Sequence, residues 1–265
     1  MYSRFQLLKK YLLYYLTASN GKGHGIHSPF VFNFIINVLQ DKKKYECYDL
    51  IEAGRQRLLK RSAEIEVEDL GAGSGSIKTS KRVVADMARS SLKPAKYAQL
   101  MYRMVKHYQP KTIVELGTSF GITTSYLASG NAEAKIYTIE GAASIADIAR
   151  ETFRKLELKN IELTEGDFGH VLSSVLTRTG KIDLAFIDGN HKKIPTLEYF
   201  HQLVNLSTPS TIIIFDDIHW SMEMEEAWTA IQQDPAITLS IDLFFIGIVF
   251  FNPDINHKQH FTIRF

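Results

Sequence analysis

The spacing of apolar residues changes near residue 110. Before that point apolar residues recur every three or four positions, as at Tyr97, Leu100 and Met104, which is typical of amphipathic helices. The spacing predicts helices over residues 4–18, 29–40, 46–61, 77–91 and 95–108. Ser28 followed by Pro29 favours a helix start, because serine caps the first amides and proline fits the first turn. The front of the chain is therefore predicted to be mainly helical.

From Lys111 onward, short apolar runs alternate with helical stretches. Strands are predicted at 112–116, 135–140, 160–165, 182–188 and 211–216, with helices at 121–129, 144–157, 168–178, 193–206 and about 220–234. Near-continuous β-branched runs are typical of strands covered on both faces, which indicates a parallel sheet. Three more strand-like runs follow without a helix between them, so we expect them to pair antiparallel.

These patterns predict an α/β fold. We expect a doubly wound, Rossmann-like sheet of seven strands, parallel with an antiparallel edge, plus an N-terminal helical extension. Residues 1–110 are predicted to be the extension, serving as a lid, a substrate wall or a dimer surface. Residues 111–265 are predicted to be the domain that binds the cofactor.

Composition limits the class of protein. The chain has 265 residues, 45% of them hydrophobic and 23% charged, which predicts a globular protein. No apolar run reaches the roughly 20 residues needed to cross a bilayer, so no transmembrane segment is expected. The single cysteine, Cys47, excludes an internal disulfide and a multi-cysteine metal site. A cytoplasmic location is the expectation that fits this cysteine content.

Charge is distributed unevenly along the chain. Residues 1–110 hold 19 Lys+Arg and 9 Asp+Glu, a net charge of +10, whereas residues 111–265 hold 12 and 20, a net charge of −8. A basic front part attracts acidic substrates, nucleic acid or membrane surfaces. The simpler interpretation is that its lysines solvate exposed helix faces and that the two parts attract each other.

Two segments set an acid before a glycine-rich turn, EVEDLGAGSGSIKTSKRV (66–83) and TIVELGTSFGITTSYLA (112–128). Such a turn at a helix start is a common site for a nucleotide cofactor. The first follows AEIEVED, which suits an exposed or edge strand, and no second strand ending in an acid follows about 20 residues on. We interpret it as a flexible loop in the helical front part that would close over a ligand through Ser74, Ser76 or Lys78, or as a linker.

The second turn has the better context. A buried-strand sequence precedes it, and the next strand ends at Glu140, 23 residues beyond Gly117. Glycine lets the backbone approach a ligand, and a carboxylate at 140 can accept hydrogen bonds from both hydroxyls of a ribose. Ser119 stands where dinucleotide enzymes have a second glycine, and Glu115 would repel phosphates.

Five segments in order complete a family pattern, V-E-L-G-T-S-F-G, T-I-E-G, G-D-F, F-I-D-G-N-H and F-D-D-I-H-W. Together they resemble class I S-adenosylmethionine-dependent methyltransferases, most closely the O-methyltransferase branch, over roughly residues 95–252. The resemblance implies that the cofactor is S-adenosyl-L-methionine. It also implies that the residues contacting this cofactor are Glu115, Gly117, Thr118, Ser119, Gly121, Glu140, Gly141, Asp167, Phe168 and Asp188.

Acids and histidines gather at the ends of two predicted strands. Asp188 and His191 follow one strand, and Asp216, Asp217 and His219 follow the other. The carboxyl ends of parallel strands meet at one edge, so these side chains are expected to converge. Three carboxylates suit Mg²⁺ or another divalent cation, so a metal site of Asp188, Asp216 and Asp217 is predicted. Related metal-dependent enzymes often have Asn where this chain has Asp217.

Proton removal from an acceptor hydroxyl would require a base. With Asp188, His191 is the predicted catalytic residue, because a neutral imidazole titrates near working pH, and His219 is a second candidate for the base. Alone, His191 is equally well interpreted as a hydrogen-bonded surface or turn residue, and for His219 that interpretation is favoured.

The main functional hypothesis is O-methylation of a small or medium hydroxyl-bearing molecule, with or without a divalent metal. Nucleic acid is the less favoured substrate, since no Asn-Pro-Pro-Tyr type loop follows residue 187. The alternatives are methylation of RNA or of an acidic glycan or lipid, a nicotinamide oxidoreductase on the same fold, and a cofactor-binding module without activity. A homodimer through the N-terminal helices is a further hypothesis.

Overall fold

The computed structural model describes residues 1–69 and 78–265 and divides into two compact units. The terminal unit consists of Met1–Asp41 and Thr179–Phe265, and the central unit is Lys42–Arg178. The predicted loop at Ser74 and Ser76 lies outside the described residues, as does the side chain of Lys78. The predicted boundary at residue 110 stays a prediction.

The central unit contains three parallel strands and their helices. Strand β3 (Thr112–Leu116) pairs with β4 (Lys135–Glu140), which pairs with β5 (Ile161–Glu165). Ile113, Val114 and Ile136 are fully buried, as expected for strands covered on both faces. The helices of this unit are α3 (Glu46–Leu59), α4 (Val84–Ser91), α5 (Ala95–Tyr108), α6 (Ile122–Gly130), α7 (Ala143–Lys155) and α8 (Phe168–Thr179).

One helix prediction in this unit is wrong at its start. Residues 78–83 form strand β2 (Lys78–Val83), which pairs antiparallel with β1 (Glu64–Asp69), and helix α4 begins only at Val84. Strand β1, with its alternating apolar and polar residues, lies where an exposed or edge strand was predicted. Antiparallel pairing with the preceding strand overrides local helix preference over residues 78–83.

The terminal unit contains five strands in the spatial order β10-β8-β9-β7-β6. They are β6 (Ile182–Ile187), β7 (Ser207–Asp216), β8 (Leu239–Asp242), β9 (Ile246–Phe250) and β10 (Gln259–Thr262). Strands β6 and β7 are parallel, whereas β9 is antiparallel to β7 and to β8. The predicted α/β class with an antiparallel edge is confirmed.

The last strand differs from expectation. Strand β10 pairs parallel with β8 instead of pairing antiparallel with β9, the strand before it in the chain. Apart from the hairpin, the described residues form eight strands, one more than the predicted seven. The loop from residue 251 to 258 is long enough to carry the chain past the end of β8 to its far side, so consecutive order in the sequence does not dictate antiparallel pairing here.

The helices of the terminal unit come from both ends of the chain. They are α1 (Arg4–Thr17), α2 (Pro29–Phe34), which continues into a π-helical segment at Ile35–Leu39, α9 (Lys193–Val204) and α10 (Met222–Gln233). Ser28 caps α2 by accepting the amide of Val31, as predicted. Helix α1 packs against Phe244 in the turn after β8.

Candidate active site

The glycine turn after β3 is held in an unusual backbone conformation. Gly117, Ser119 and Gly121 all have positive φ, at 103°, 48° and 81°. A side chain at Gly121 would place its Cβ 2.5 Å from a ring carbon of Phe153, so a glycine is required on steric as well as conformational grounds. Ser119 is the exception, and a non-glycine residue held at positive φ often marks a functional turn.

Glu115, at the end of β3, is completely buried. Its Oε2 accepts hydrogen bonds from the hydroxyls of Thr124 and Thr138, each at 2.6 Å. Because Thr138 donates its only proton to Glu115, the 2.6 Å contact with Thr118 must be donated by Thr118. Thr118, Thr138 and Glu115 therefore form a chain of hydrogen bonds that fixes the glycine turn to β4.

Glu140 ends β4 and faces the same turn. Its Oε2 accepts the backbone N–H of Ser119 at 2.8 Å, and its Oε1 accepts that of Ala142 at 3.1 Å. The carboxylate thus orients the glycine turn and also the bend at Gly141 that leads into α7.

Asp167 and Phe168 lie where β5 passes into α8. The Oδ1 of Asp167 accepts the amide of Gly169 at 2.9 Å, which is helix capping, and His170 lies 3.4 Å from the same oxygen. Phe168 is half-buried. This geometry accounts for Asp167 as a turn residue, and its contact with an adenine stays a prediction.

In the terminal unit, the ends of β6 and β7 bring together two acids and a histidine. Ile187 is the register partner of Phe215, so Asp188 and Asp216 leave the sheet side by side. One ligand atom each from Asp188, His191 and Asp216 lies within 4.8 Å of the other two. The Nε2 of His191 is 3.7 Å from Oδ1 of Asp188.

The three residues of this triad differ in their exposure to solvent. Asp216 is only 2% exposed, whereas Asp188 and His191 are partly open to solvent. The backbone turn that carries His191 has positive φ at Asn190 (68°) and His191 (35°), a strained pair for non-glycine residues. This turn aims the imidazole back toward the two carboxylates.

Asp217 does not join the triad. Within residues 1–69 and 78–265, the group of ligand-type side chains at this edge contains His191 in the place predicted for Asp217. Asp217 itself has φ of 54°. The sequence prediction missed this exchange because neighbouring residues of a turn point in directions that only the backbone conformation decides.

His219 lies between two carboxylates of the same unit. Its Nδ1 is 3.0 Å from Oε1 of Glu225, and its Nε2 is 2.8 Å from Oδ2 of Asp242. Burial lowers the pKa of His219, but the hydrogen bonds and charges of Asp242 and Glu225 outweigh it, so the pKa is raised. With both nitrogens engaged, this geometry supports a structural role and not the predicted role as a base.

The partners of His219 were missed at the sequence level. Glu225 also accepts hydrogen bonds from the hydroxyl of Tyr2 at 2.7 Å and from the ammonium of Lys10 at 3.0 Å. Asp242 is an acid in an otherwise apolar run, a signal for a buried pairing. Tyr2 and Lys10 carry no such signal, because they lie more than 200 residues away from Glu225 in the chain.

Residues 114–218 match a family model described as a methyltransferase domain. That stretch includes the glycine turn, Glu140 and the Asp188, His191 and Asp216 triad. Residues 114–218 of this chain are thus similar to a methyltransferase domain. The resemblance to methyltransferases is thereby confirmed, while the roles of the individual residues stay predictions.

Two curated relatives match parts of this chain. It is similar to a catechol O-methyltransferase from Niastella koreensis, with 28% identity over 145 residues that make up 53% of this chain and 63% of the relative. It is also similar to a tRNA (guanine-N(7)-)-methyltransferase from Mycoplasma mobile, with 36% identity over 77 residues, 29% of this chain and 38% of the relative. The chain thus spans less than two thirds of the length of both.

Solved structures support the fold. The O-methyltransferase from Bacillus cereus in complex with SAH aligns with a TM-score of 0.55 and 19% identity, over 81% of this chain and 95% of that chain. At this identity the likeness shows the Rossmann-like fold alone. Within residues 1–69 and 78–265, no helix has the length and apolar character needed to cross a membrane.

Proposed function

We propose that this chain transfers the methyl group of S-adenosylmethionine to a hydroxyl of a small or medium substrate. The observation that carries the proposal is the triad of Asp188, His191 and Asp216 in a chain with a methyltransferase domain. Methyl transfer from a sulfonium is an in-line displacement, so orientation and removal of one proton are the main demands on the protein.

S-adenosylmethionine is assigned to the glycine turn of the central unit. The positive φ at Gly117 lets the backbone approach a ligand, and the amides at the start of α6 are available to its polar groups. Glu140 would accept the ribose hydroxyls while it holds Ser119 in place. Glu115 is buried beneath the turn, which supports a role in shaping the turn and carrying negative charge toward the cofactor's ammonium.

The geometry of the triad is consistent with two roles for His191. As a general base, a neutral His191 would take the hydroxyl proton, with Asp188 orienting the ring at 3.7 Å. As a ligand, His191 would join Asp188 and Asp216 around a divalent cation, and two carboxylates with one imidazole suit Mn²⁺ or Zn²⁺ better than Mg²⁺. When bound, such a cation would lower the pKa of the acceptor hydroxyl.

The names of the relatives support a class of substrate, and that class is part of this proposal. The Niastella koreensis relative is named for catechol, a small molecule with adjacent hydroxyls, which supports a small hydroxylated acceptor. The Mycoplasma mobile relative is named for tRNA, which favours RNA as the second candidate. A cytoplasmic location and a homodimer through the N-terminal helices remain predictions from the sequence.

Calorimetry with S-adenosylmethionine, its demethylated product and NAD tests the cofactor. We expect binding of both sulfur compounds and no binding of NAD. Binding of NAD alone would point to the nicotinamide alternative and end the proposal.

Methyl transfer from radiolabelled S-adenosylmethionine tests the acceptor, with a catechol panel and unmodified tRNA as the two arms. We expect label in the catechol panel, and label in tRNA alone would favour the second candidate. A chelator titration in the same assay separates the two roles of His191, because general-base catalysis alone would be unchanged by removal of divalent ions.

A further inference from the structure

Helix α1 presents apolar side chains on two opposite sides. On the inner side Tyr14 is buried, and Leu7 and Tyr11 pack with it against Phe244 and the neighbouring ring of the same turn. The outer side carries Phe5, Leu8, Leu12 and Leu16, which we call the outer stripe. Inner packing therefore accounts for three of the nine apolar residues of this helix.

The outer stripe is open to solvent within the described chain. Its four side chains are 76%, 55%, 53% and 77% exposed, in chain order. Their spacing of three and four residues places them along one line of the helix. Single exposed leucines are ordinary on protein surfaces, but a continuous row of this length marks a binding surface.

Charge indicates what binds there. At about 100° per residue, Arg4 and Lys9 lie on opposite flanks of the outer stripe, and both are exposed. Residues 4–17 contain no acidic residue, and residues 1–41 contain four Lys+Arg against one acid. An apolar row between cations matches the surface of an anionic bilayer, whereas a second copy of α1 would bring like charges together.

The length of α1 decides how it would meet a bilayer. Its 14 residues extend about 21 Å, less than the roughly 30 Å of a hydrocarbon core. The helix is therefore suited to lie in the interface, with the outer stripe in the acyl region and Arg4 and Lys9 at the headgroups.

Helix α1 is also firmly attached to the terminal unit. The amide of Tyr2 donates to the carbonyl of Trp220 at 3.0 Å, the ammonium of Lys10 reaches both oxygens of Glu225 at 3.0 Å, and the hydroxyl of Tyr14 donates to the carbonyl of Ile263 at 2.5 Å. The outer stripe is thus presented on a fixed element, and its exposure does not require release of the helix.

We propose that the outer stripe of α1 binds the surface of an anionic lipid bilayer. Because the start of α1 is hydrogen-bonded to Trp220, four residues after Asp216, a bilayer bound there would lie on the same unit as the triad. An acceptor that partitions into the bilayer would then be concentrated near the candidate active site. The inference itself does not depend on methyl transfer.

Cosedimentation of the full chain with lipid vesicles tests the proposal, without S-adenosylmethionine or an acceptor. We expect binding to phosphatidylcholine vesicles containing about a third phosphatidylglycerol, weak binding to pure phosphatidylcholine, and loss of binding at high salt. Lys9→Gln should weaken binding about fivefold.

Two neighbouring leucines give a matched pair of variants. Leu12→Gln removes a side chain of the outer stripe and should weaken binding about tenfold or more. Leu13 is 62% exposed but lies beyond Lys9 on the helix surface, so Leu13→Gln should change binding less than about twofold. Leu8→Gln serves as a second test of the outer stripe if Leu12→Gln does not fold.

Three results would overturn the proposal. The first is no binding to anionic vesicles, and the second is an equal loss for Leu12→Gln and Leu13→Gln. The third is a dimer in analytical ultracentrifugation that Leu12→Gln dissociates, in a protein that does not bind vesicles. That third result would assign the outer stripe to contact between two copies.

Discussion

The carboxylate of Glu140 accepts the backbone N–H of Ser119 at 2.8 Å, and this contact connects the end of β4 to the glycine turn after β3. Ser119 is held at positive φ, a conformation that costs energy without such support. The acid that is expected to bind the ribose therefore also shapes the turn that is expected to bind the methionine part of the cofactor.

Glu140→Ala is expected to weaken S-adenosylmethionine binding by at least about tenfold, because it removes the ribose acceptor and the Ser119 contact together. Calorimetry measures the affinity directly. Glu165→Ala, in the next strand of the central unit, changes a partly exposed acid at the end of β5 and serves as control. Equal affinities for wild type and Glu140→Ala would remove Glu140 from the site.

Gly121→Ala is expected to destabilise the protein by about 2–4 kcal/mol, because the new Cβ would meet Phe153 at 2.5 Å and the backbone has φ of 81°. Gly180→Ala is the matched control, since its φ is 66° and nothing lies within 4 Å of the added Cβ. Urea unfolding should show a loss of only about 1 kcal/mol for that control. A similar loss for both variants would mean that Phe153 moves aside at little cost.

His219 is expected to make stability depend on pH. Its pKa is raised in the folded state by Asp242 and Glu225 against the opposing effect of burial, so its contribution is fully present below the unfolded pKa of about 6.5. The contribution is lost as the pH rises through the folded pKa. Urea unfolding from about pH 6 to about pH 9 should therefore show a stability decline that is reduced in His219→Gln.

His257→Gln provides the control for that pH series, because His257 is exposed on the loop before β10. We expect its pH dependence to follow the wild type. If His219→Gln declined as steeply as the wild type over the same range, the two carboxylates would not be acting on a charged imidazole.

Asp216→Asn is expected to reduce the rise in Tm that Mn²⁺ produces in the wild type, because it removes one charged ligand of the triad. In metal-free buffer the same change should lower the free energy of unfolding only slightly. Asp216 is 2% exposed and lies beside Asp188, and a buried carboxylate next to a second carboxylate is costly to keep charged. Asp254→Asn, on an exposed loop, is the control. Identical Tm shifts in wild type and Asp216→Asn would exclude the triad as a cation site.

Local sequence was sufficient to predict an element where the pattern of buried residues coincides with the secondary structure. The runs at 112–116 and 135–140 form β3 and β4 with the predicted bounds, because a β-branched run between turns has few other ways to hide its side chains. The same two strands are the reason for choosing the second glycine turn, since β3 precedes the turn and β4 is the next strand after it. In contrast, residues 78–83 pair with the preceding strand β1, and their helix-like pattern gave no warning of that contact.

For the candidate site, the sequence by itself determined which residues stand at the ends of β6 and β7, since strand ends are read from the apolar pattern. Tertiary structure alone decided which of them meet. It placed His191 with Asp188 and Asp216, left Asp217 outside, and set His219 between Glu225 and Asp242. The physical reason is that direction in a turn depends on φ and on partners brought from far along the chain, and neither is encoded in residue spacing.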